Sequence, residues 1–378
     1  MPTSHPEIIV VGGSLAGLTF ALASASRGVP VRVLERTERK VLSGDNLSVN
    51  LATIAATVGR DPRLEPKLPV VRAYRDRHLT SWPALYRWLR DRAGEASGIT
   101  LEEDKTVKSV RSEGDKAVIV FADGTTTSAD AVIGADGYHS TVRRAIAPEL
   151  PLARYAGYIV WRGLIEESAL SRPVRWPTNG GLWIDYEKGH RLVAAMLPGR
   201  DGSLEEGKRQ VTFAWFNAGR EDLLRGTNCL DEDGHVIGTL AASAISADVR
   251  DELTSLVPQL WPQTWAEAVS FGVRSGFMRG APIAEYKPER LTLGPMAIIG
   301  DAAHVLSPMT GSGYATGVED AAILSEMLAQ FDQSKPLSAL LEAYERARLP
   351  YTRALVNHSK DLSAEFLRYA AGFHGMAV

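Results

Sequence analysis

Residues 8–17 read IIVVGGSLAG, a short apolar run followed at once by a glycine-rich stretch. An uninterrupted apolar run of this length is typical of a strand buried on both faces of a parallel sheet. Residues 18–26 are rich in alanine and leucine and predict a helix, and a second β-branched run, residues 29–34, ends in Glu35. The order strand, glycine turn, helix, strand and acid predicts an α/β fold of the Rossmann type.

The glycine turn has the features that hold the phosphates of a dinucleotide. Gly12 permits a tight turn out of the strand, and Gly17 lets the helix pack close to the sheet. The helix N-terminus presents unpaired N–H groups and partial positive charge to a pyrophosphate. Glu35 can accept hydrogen bonds from ribose hydroxyls, and Ser14 stands at the second glycine of G-x-G-x-x-G. Taken alone, the motif leaves open a glycine turn in an unrelated α/β protein.

Two later segments repeat the pattern of a buried strand that ends in an acid. Residues 105–135 predict a β-meander that leads into Asp136-Gly137, which alone could be a simple turn. Residues 296–304 read MAIIGDAAH, again strand, glycine and acid. A helix is expected from about Gly317 to Phe331, and a helix N-terminus at residues 311–314 could stabilise negative charge on a bound ring.

The stretch between the second and third segments predicts a separate antiparallel sheet. Strand-like runs occur at residues 158–164, 181–186, 191–197 and 210–216. Most aromatic side chains of this region are expected in the sheet core, and His190 is expected at an exposed hairpin. A helix is predicted at residues 80–93, whose Arg87 and Arg90 either reach phosphates or lie on a solvated surface. A last helix is predicted at residues 337–355, interrupted by Pro350.

Composition narrows the classes of function. The 378 residues are 45% hydrophobic and 23% charged, which is ordinary for a globular protein. The net charge of −3 and the lack of a long Lys/Arg run predict no nucleic-acid partner. A single cysteine, Cys229, excludes an intrachain disulfide and a cysteine zinc site, and no metal site is predicted. No apolar run approaches 18 residues and no signal peptide is visible, so we expect no membrane association and a cytoplasmic location.

The three segments together resemble the group A flavoprotein monooxygenases, the para-hydroxybenzoate hydroxylase family, from about Glu7 to Ser363. That family has a dinucleotide fingerprint, a D-G motif before S-x-x-R and a G-D-A-A-H motif in this order. Residues 80–86 (TSWPALY), 155–163 (YAGYIVWRG) and 198–203 (PGRDGS) look most like 2,6-dihydroxypyridine hydroxylase-like enzymes. Three positions depart from the pattern: Ala315 replaces an asparagine of the family, and Ala195 and Thr212 replace a tyrosine and an asparagine of those relatives.

The resemblance implies FAD as cofactor and assigns residues to it by position. Gly12, Ser14, Gly17 and Glu35 would hold the AMP half, and Val107 would lie near adenine. Asp136 and Gly137 would lie near the pyrophosphate, and Asp301 would bind the ribitol or pyrophosphate region. His304 is expected to be structural or close to the flavin rather than a general base, and no catalytic base is assigned. The full predicted set is Gly12, Gly13, Ser14, Leu15, Ala16, Gly17, Glu35, Arg36, Val107, Asp136, Gly137, Asp301, Pro308, Gly311, Ser312, Gly313 and Tyr314.

The activity implied is hydroxylation of a phenol-like or hydroxypyridine-like ring by O2 and NADH or NADPH, through a flavin C4a-hydroperoxide. The implied units are a FAD-binding domain at 1–153 and 285–335, an inserted substrate domain at 154–284 and a C-terminal helical segment at 336–378. Two alternative functions stay open: an epoxidase or polyketide-tailoring oxygenase of the same fold, and a non-catalytic flavin-binding redox sensor. A homo-oligomer is also possible. The late Gly300-Asp301 segment disfavours a plain NAD dehydrogenase, and the absence of W-x-W-x-I-P disfavours a halogenase.

Overall fold

The computed structural model describes residues 5–37, 46–332, 334 and 336–373. The helices of this part of the chain are α1 (Leu15–Ser26), α2 (Leu51–Val58), α3 (Trp82–Glu95), α4 (Thr141–Ile146), α5 (Glu221–Gly226), α6 (Ala247–Leu260), α7 (Gln263–Ser275), α8 (Gly313–Leu328) and α9 (Leu337–Ala371). The strands are β1 (Ile8–Val11), β2 (Val31–Leu34), β3 (Asn46–Asn50), β4 (Val71–Arg72), β5 (Arg77–Ser81), β6 (Ile99–Glu102), β7 (Val107–Glu113), β8 (Lys116–Phe121), β9 (Thr126–Ala129), β10 (Ala131–Gly134), β11 (Arg154–Glu166), β12 (Trp183–Glu187), β13 (His190–Leu197), β14 (Gln210–Ala218), β15 (Arg279–Glu285), β16 (Thr292–Leu293) and β17 (Met296–Ile298).

The largest sheet has the order β16-β17-β10-β1-β2-β6 and is parallel except for the edge strand β16. All four residues of β1 and of β10 are buried, as expected for central strands covered on both faces. Residues of α1, α8, α9 and the small sheet β7-β8-β9 share one hydrophobic core with these strands. The predicted Rossmann-like α/β fold is therefore confirmed.

The three predicted nucleotide segments follow three neighbouring strands of this sheet. The glycine turn follows β1, Asp136-Gly137 follows β10, and Gly300-Asp301 follows β17. Carboxyl ends of adjacent parallel strands meet at one edge of a sheet, which is where ligands of open α/β sheets bind. The fold thus brings together segments that are more than a hundred residues apart in the chain.

The predicted antiparallel sheet is also present, with the order β12-β13-β14-β11-β15. Its strands fall between β10 and β16 in the chain, so the sheet is an insertion into the parallel domain. One face packs on α6 and α7 through side chains such as Trp161, Phe213 and Trp215. The other face contacts α9 through Tyr158 and Phe216 and continues into the cavity described below. These buried aromatics confirm the expected core role, whereas Tyr186 is 48% exposed.

Several predicted boundaries were wrong. The helix predicted at residues 80–93 begins later, at Trp82, because the Ser81 side chain caps it by accepting from Ala84 N. The helix expected from Gly317 begins at Gly313. The last helix does not end near residue 355 but runs through Pro350 to Ala371, the largest difference among the predicted boundaries.

None of the described helices is both long and apolar enough to cross a membrane. The domain limits at 153, 284 and 335 stay a prediction.

Candidate active site

The backbone of the glycine turn adopts a conformation and a close approach that only glycine allows. Gly12 has φ 104° and donates its N–H to Leu34 O at 2.9 Å. A Cβ on Gly17 would lie 1.9 Å from the Gly12 carbonyl oxygen, far inside van der Waals contact. Gly13 N donates to Glu35 Oε2 at 2.8 Å, so the acid that ends β2 is fixed beside the turn. The predicted roles of Gly12 and Gly17 as packing glycines fit this geometry.

Two helices begin at one cavity of about 460 Å³. Ser14 precedes α1 and Ser312 precedes α8, and within the described chain neither side chain caps its helix. Four other helices do have such caps, from Asn50, Ser81, Ser140 and Ser246. The first N–H groups of α1 and α8 are therefore available to an anionic or carbonyl-bearing ligand.

Many predicted cofactor residues line this cavity: Ser14, Leu15, Ala16, Gly137, Asp301, Pro308, Gly311, Ser312, Gly313 and Tyr314. Gly311 and Gly313 leave room at its wall, since a Cβ on either would meet no described atom within 4 Å. Tyr314 is anchored by contact of its hydroxyl with Thr19 Oγ1 at 3.1 Å. A flat ring could therefore approach the backbone at the start of α8 without obstruction.

The other predicted residues lie behind or beside the cavity. The segment before Val107 is next to Glu35, because Lys105 N donates to Glu35 O at 2.9 Å. Arg36 is exposed, and its charge is close enough to contribute to the lowered pKa of His139, after the larger effect of burial. Val107 and Arg36 are thus near the turn without lining the cavity.

Asp136 has a structural task that the motif did not reveal. Its carboxylate accepts from the Ser140 hydroxyl and from Thr141 N at 2.6 Å, which caps α4. Burial raises the pKa of Asp136, and these hydrogen bonds act against the rise. Asp136 therefore shapes the turn, while its neighbour Gly137, with φ 78°, faces the cavity.

Arg143 joins two of the three predicted segments, although the sequence assigned it no role. It is fully buried and donates to Asp301 O and Ala302 O, each at 3.2 Å. The same guanidinium donates to Tyr138 O, one residue after Gly137. Its place in the S-x-x-R pattern was the signal that could have identified it. Arg143 fixes the distance between the Gly137 turn and the Asp301 turn.

Asp301 lies in a 3₁₀ turn at Gly300–Ala302 and lines the cavity, to which its side chain is exposed. Burial raises the pKa of Asp301, and nearby His304 and Arg143 oppose the rise only in part. A second cation, Arg162, also acts on it and lines the same cavity. A carboxylate in this position is suited to accept hydrogen bonds from the hydroxyls of a polyol.

A buried charge cluster supports this turn from below. Asp320 accepts from Gly300 N at 3.0 Å and Arg348 Nε at 2.8 Å, and bonds His304 Nε2 at 2.7 Å. His304, Asp320 and Arg348 are each at most 4% exposed. The expected structural place of His304 fits these contacts. The sequence could not reveal Asp320 or Arg348, because their partners lie 16 to 28 residues away.

The wall opposite the nucleotide segments is the inserted sheet. Val160, Arg162, Thr212 and Ala214 contribute one face, and residues 281–284 contribute the adjoining edge strand. Thr212, a departure from the pyridine hydroxylase relatives, therefore lies at the cavity. Ala195, the second departure, is fully buried against β4 and β5 and does not line it.

A hydrogen-bonded chain ties α9 to this wall. The Tyr158 hydroxyl contacts Ser307 Oγ at 2.7 Å and Ser363 Oγ at 3.0 Å. Ser363 and Ser359 both donate to Glu285 Oε1, at 3.0 and 2.6 Å. Burial raises the pKa of Tyr158 to about 12, so its hydroxyl stays protonated at neutral pH. The long last helix thereby anchors the loop before Pro308.

Comparison with known proteins agrees with this geometry. A family model described as FAD binding domain matches residues 259–359, and one described as FAD binding domain-like matches residues 155–276. The chain is 28% identical over 385 residues to 3-amino-4-hydroxybenzoate 2-monooxygenase of Streptomyces cremeus, covering 95% of this chain and 87% of the relative. It is 29% identical over 343 residues to FAD-dependent urate hydroxylase of Klebsiella pneumoniae, covering 86% and 73%.

The fold is shared with a solved enzyme. The structure of 2,6-dihydroxypyridine-3-hydroxylase from Arthrobacter nicotinovorans superposes with a TM-score of 0.77 at 22% identity, covering 99% of this chain and 94% of that one. The three strand-end motifs, the shared cavity and these likenesses agree with one another. Over most of its length the chain is similar to FAD-dependent aromatic hydroxylases, which supports FAD binding and monooxygenase chemistry.

Proposed function

We propose that FAD lies along the cavity, with its pyrophosphate at the start of α1 and its ring at the start of α8. The observation that carries this proposal is that both helices begin at one cavity without side-chain caps. Each N-terminus offers N–H donors and partial positive charge, one to the pyrophosphate and one to the carbonyl edge of the ring.

The remaining cofactor contacts follow from the same placement. Glu35 accepts from the adenosine ribose, and Val107 lies near adenine on the neighbouring segment. Gly137 approaches the pyrophosphate, with the Arg36 cation nearby. Asp301 accepts hydrogen bonds from the ribitol hydroxyls, because its side chain is exposed to the cavity at the end of β17.

The substrate binds between the flavin ring and the inserted sheet. Bound FAD, reduced by NADH or NADPH, supplies the activated oxygen, so the protein must position the ring and keep water out. Arg162 is the cation on the sheet face of this cavity and is suited to orient an acidic group of the substrate. Thr212 lies on the same face and offers a hydroxyl to a ring substituent.

The substrate class is a small aromatic or heteroaromatic ring with a hydroxyl group and an acidic group. Arg162 and the mainly apolar walls support this choice, as do relatives named for aminohydroxybenzoate, urate and dihydroxypyridine. A cytoplasmic location and a homo-oligomer stay predictions.

A ring panel tests the function. The FAD-loaded protein is mixed with NADH or NADPH and with hydroxylated benzoates, hydroxypyridines or unsubstituted benzene derivatives. We expect at least one hydroxylated acid to accelerate NAD(P)H oxidation strongly, and the same rings without a hydroxyl to have little effect. FAD binding without stimulation by any ring in the panel would point instead to the non-catalytic flavin-binding alternative. A protein that does not retain FAD would contradict the whole placement.

A further inference from the structure

A second cavity, of about 370 Å³, lies next to the flavin cavity. Helix α3 forms one side of it through Ala84 and Arg87, and the end of β11 forms another through Leu164. Phe271 and Phe277 lie at its edge with parallel rings, 6.1 Å between centroids and 14° between planes. A volume of this size suits a molecule of one or two rings.

The pairing of β11 with β14 shows how close the two cavities are. Arg162 pairs with Ala214, and both line the flavin cavity. Glu166 pairs with Gln210, and both line the second cavity. The residue pair between these two, Leu164 with Thr212, has one member at each cavity.

In that middle pair, Thr212 faces the flavin cavity and Leu164 the second one. Because two residues of a strand span about 7 Å, one residue pair separates the two spaces. Helix α3 also lines both cavities, with different residues. Trp82 lines the flavin cavity, whereas Pro83 and Arg87, one turn apart, line the second.

The charges of the second cavity favour an anion. Arg200 Nε and Gln210 Nε2 both donate to Glu166 Oε1, at 2.6 and 2.8 Å, so the charge of Glu166 is paired with that of Arg200. Arg87 has no ion-pair or hydrogen-bond partner among the described residues and is exposed at the mouth. Its guanidinium is therefore available to a carboxylate, and the ring of the same ligand can lie against the apolar walls.

Phe277 adds a reason to expect a flat ligand. Its side chain is 57% exposed although it is a large apolar group beside a cavity. Covering it with a ring would remove apolar surface from water, and stacked aromatic rings add to that gain. An aromatic ring with one acidic substituent satisfies both the phenylalanine pair and Arg87.

We propose that the second cavity is an outer subsite that binds an aromatic carboxylate next to the flavin cavity. Its ligand is of the substrate class of the proposed function, on which this identification rests. A molecule held there is one residue pair from the reaction site, with Leu164, Thr212 and Trp82 between the two spaces. The subsite holds a second substrate molecule close to the reaction site.

The test is the number of ligand molecules bound by the FAD-loaded protein, with 4-hydroxybenzoate, 3-amino-4-hydroxybenzoate and salicylate as probes. Calorimetry counts all binding, and the flavin absorption spectrum reports binding beside the flavin. We expect one event that changes the spectrum and a second that does not. Phenol, which has no carboxylate, is expected to lack the second event.

Variants show whether the binding event that leaves the flavin spectrum unchanged, here called the silent event, occurs in the second cavity. Arg87→Gln should weaken it about 10-fold, as expected for the loss of one charge-assisted hydrogen bond. Ala84→Trp should fill the cavity and remove it. The matched control Arg111→Gln breaks a surface pair with Glu113 on β7 and should change neither event.

The outcomes separate this proposal from the proposed function. A spectral event without a silent event for all three probes overturns the outer subsite and leaves the flavin site intact. A silent event that Arg87→Gln and Ala84→Trp leave unchanged also overturns it. A silent event sensitive to these variants, without any spectral event, supports the subsite and counts against the proposed substrate class.

Discussion

Replacing Gly17 with alanine is expected to weaken FAD binding by about 100-fold or more. The added Cβ would lie 1.9 Å from the Gly12 carbonyl oxygen and 3.2 Å from the Ala135 side chain. Contact at 1.9 Å cannot be relieved by a side-chain rotation, because the obstacle is backbone. Helix α1 must move away from the turn, and its N-terminal donors move with it.

The size of the effect follows from the donors that are lost. Moving the start of α1 weakens at least two hydrogen bonds to a charged pyrophosphate, each worth about 1.5–3 kcal/mol. The affinity for FAD should therefore fall by about 100-fold or more. Titration of FAD-depleted protein with FAD, followed by quenching of flavin fluorescence, measures this change.

Gly94→Ala is the matched control. Gly94 lies in α3, and a Cβ there would meet no described atom within 4 Å. Alanine in a helix is favoured over glycine by about 0.5–1 kcal/mol, so this variant should keep its FAD affinity and melt slightly higher. Equal FAD affinity in Gly17→Ala and wild type would contradict the placement of the pyrophosphate at α1.

Asp320→Asn is expected to produce the largest loss of stability. The wild-type carboxylate serves donors from Gly300, His304 and Arg348 in a site of 0% exposure. An asparagine amide keeps one acceptor oxygen but places an NH2 group against the remaining donors. Breaking a buried ion pair by removing one partner typically costs about 3–5 kcal/mol, and we expect a loss of this size.

Denaturant unfolding with and without FAD measures the loss. The control Glu342→Gln removes an exposed pair with Arg346 on the same helix as Arg348, and should cost less than about 1 kcal/mol. Since the cluster then supports the Gly300–Asp301 turn with one acceptor oxygen instead of two, Asp320→Asn should also weaken FAD binding. A loss below about 1 kcal/mol would contradict a supporting role for the cluster.

The stability contributed by Asp320 should depend on pH in a defined direction. Burial alone would raise its pKa, but the charges of His304 and Arg348 and the hydrogen bonds outweigh burial and lower it. A carboxylate with a lowered pKa in the folded state stabilises above its unfolded pKa of about 3.9. The contribution is lost as pH falls below that value, so wild type and Asp320→Asn should converge in stability under acidic conditions.

The nucleotide segments could be predicted from sequence because their signals are local. Each combines an apolar run with glycines or an acid within ten residues, and the parallel sheet aligns their ends. The links among them could not be predicted. Arg143 contacts Asp301 across 158 residues, and no local pattern reports such a partner.

In two elements, the tertiary structure outweighed the local preference of a proline. Pro350 removes a helix hydrogen bond, which costs about 3 kcal/mol, and therefore favoured an interrupted helix. Helix α9 continues because buried residues on both sides of Pro350, including Tyr344, Val356 and Phe366, hold it against the rest of the protein. The fifth strand of the inserted sheet, β15, was not predicted. It contains Pro282, which the structure tolerates because β15 is an edge strand.

The most direct measurement is transfer of labelled oxygen to the ring that stimulates NAD(P)H oxidation most. Turnover under oxygen-18 gas is followed by mass spectrometry of the product. The account predicts that the product gains one oxygen atom and that this atom carries the label. NAD(P)H oxidation that yields only hydrogen peroxide and unchanged ring for every stimulating compound, or product oxygen derived from water, would contradict it.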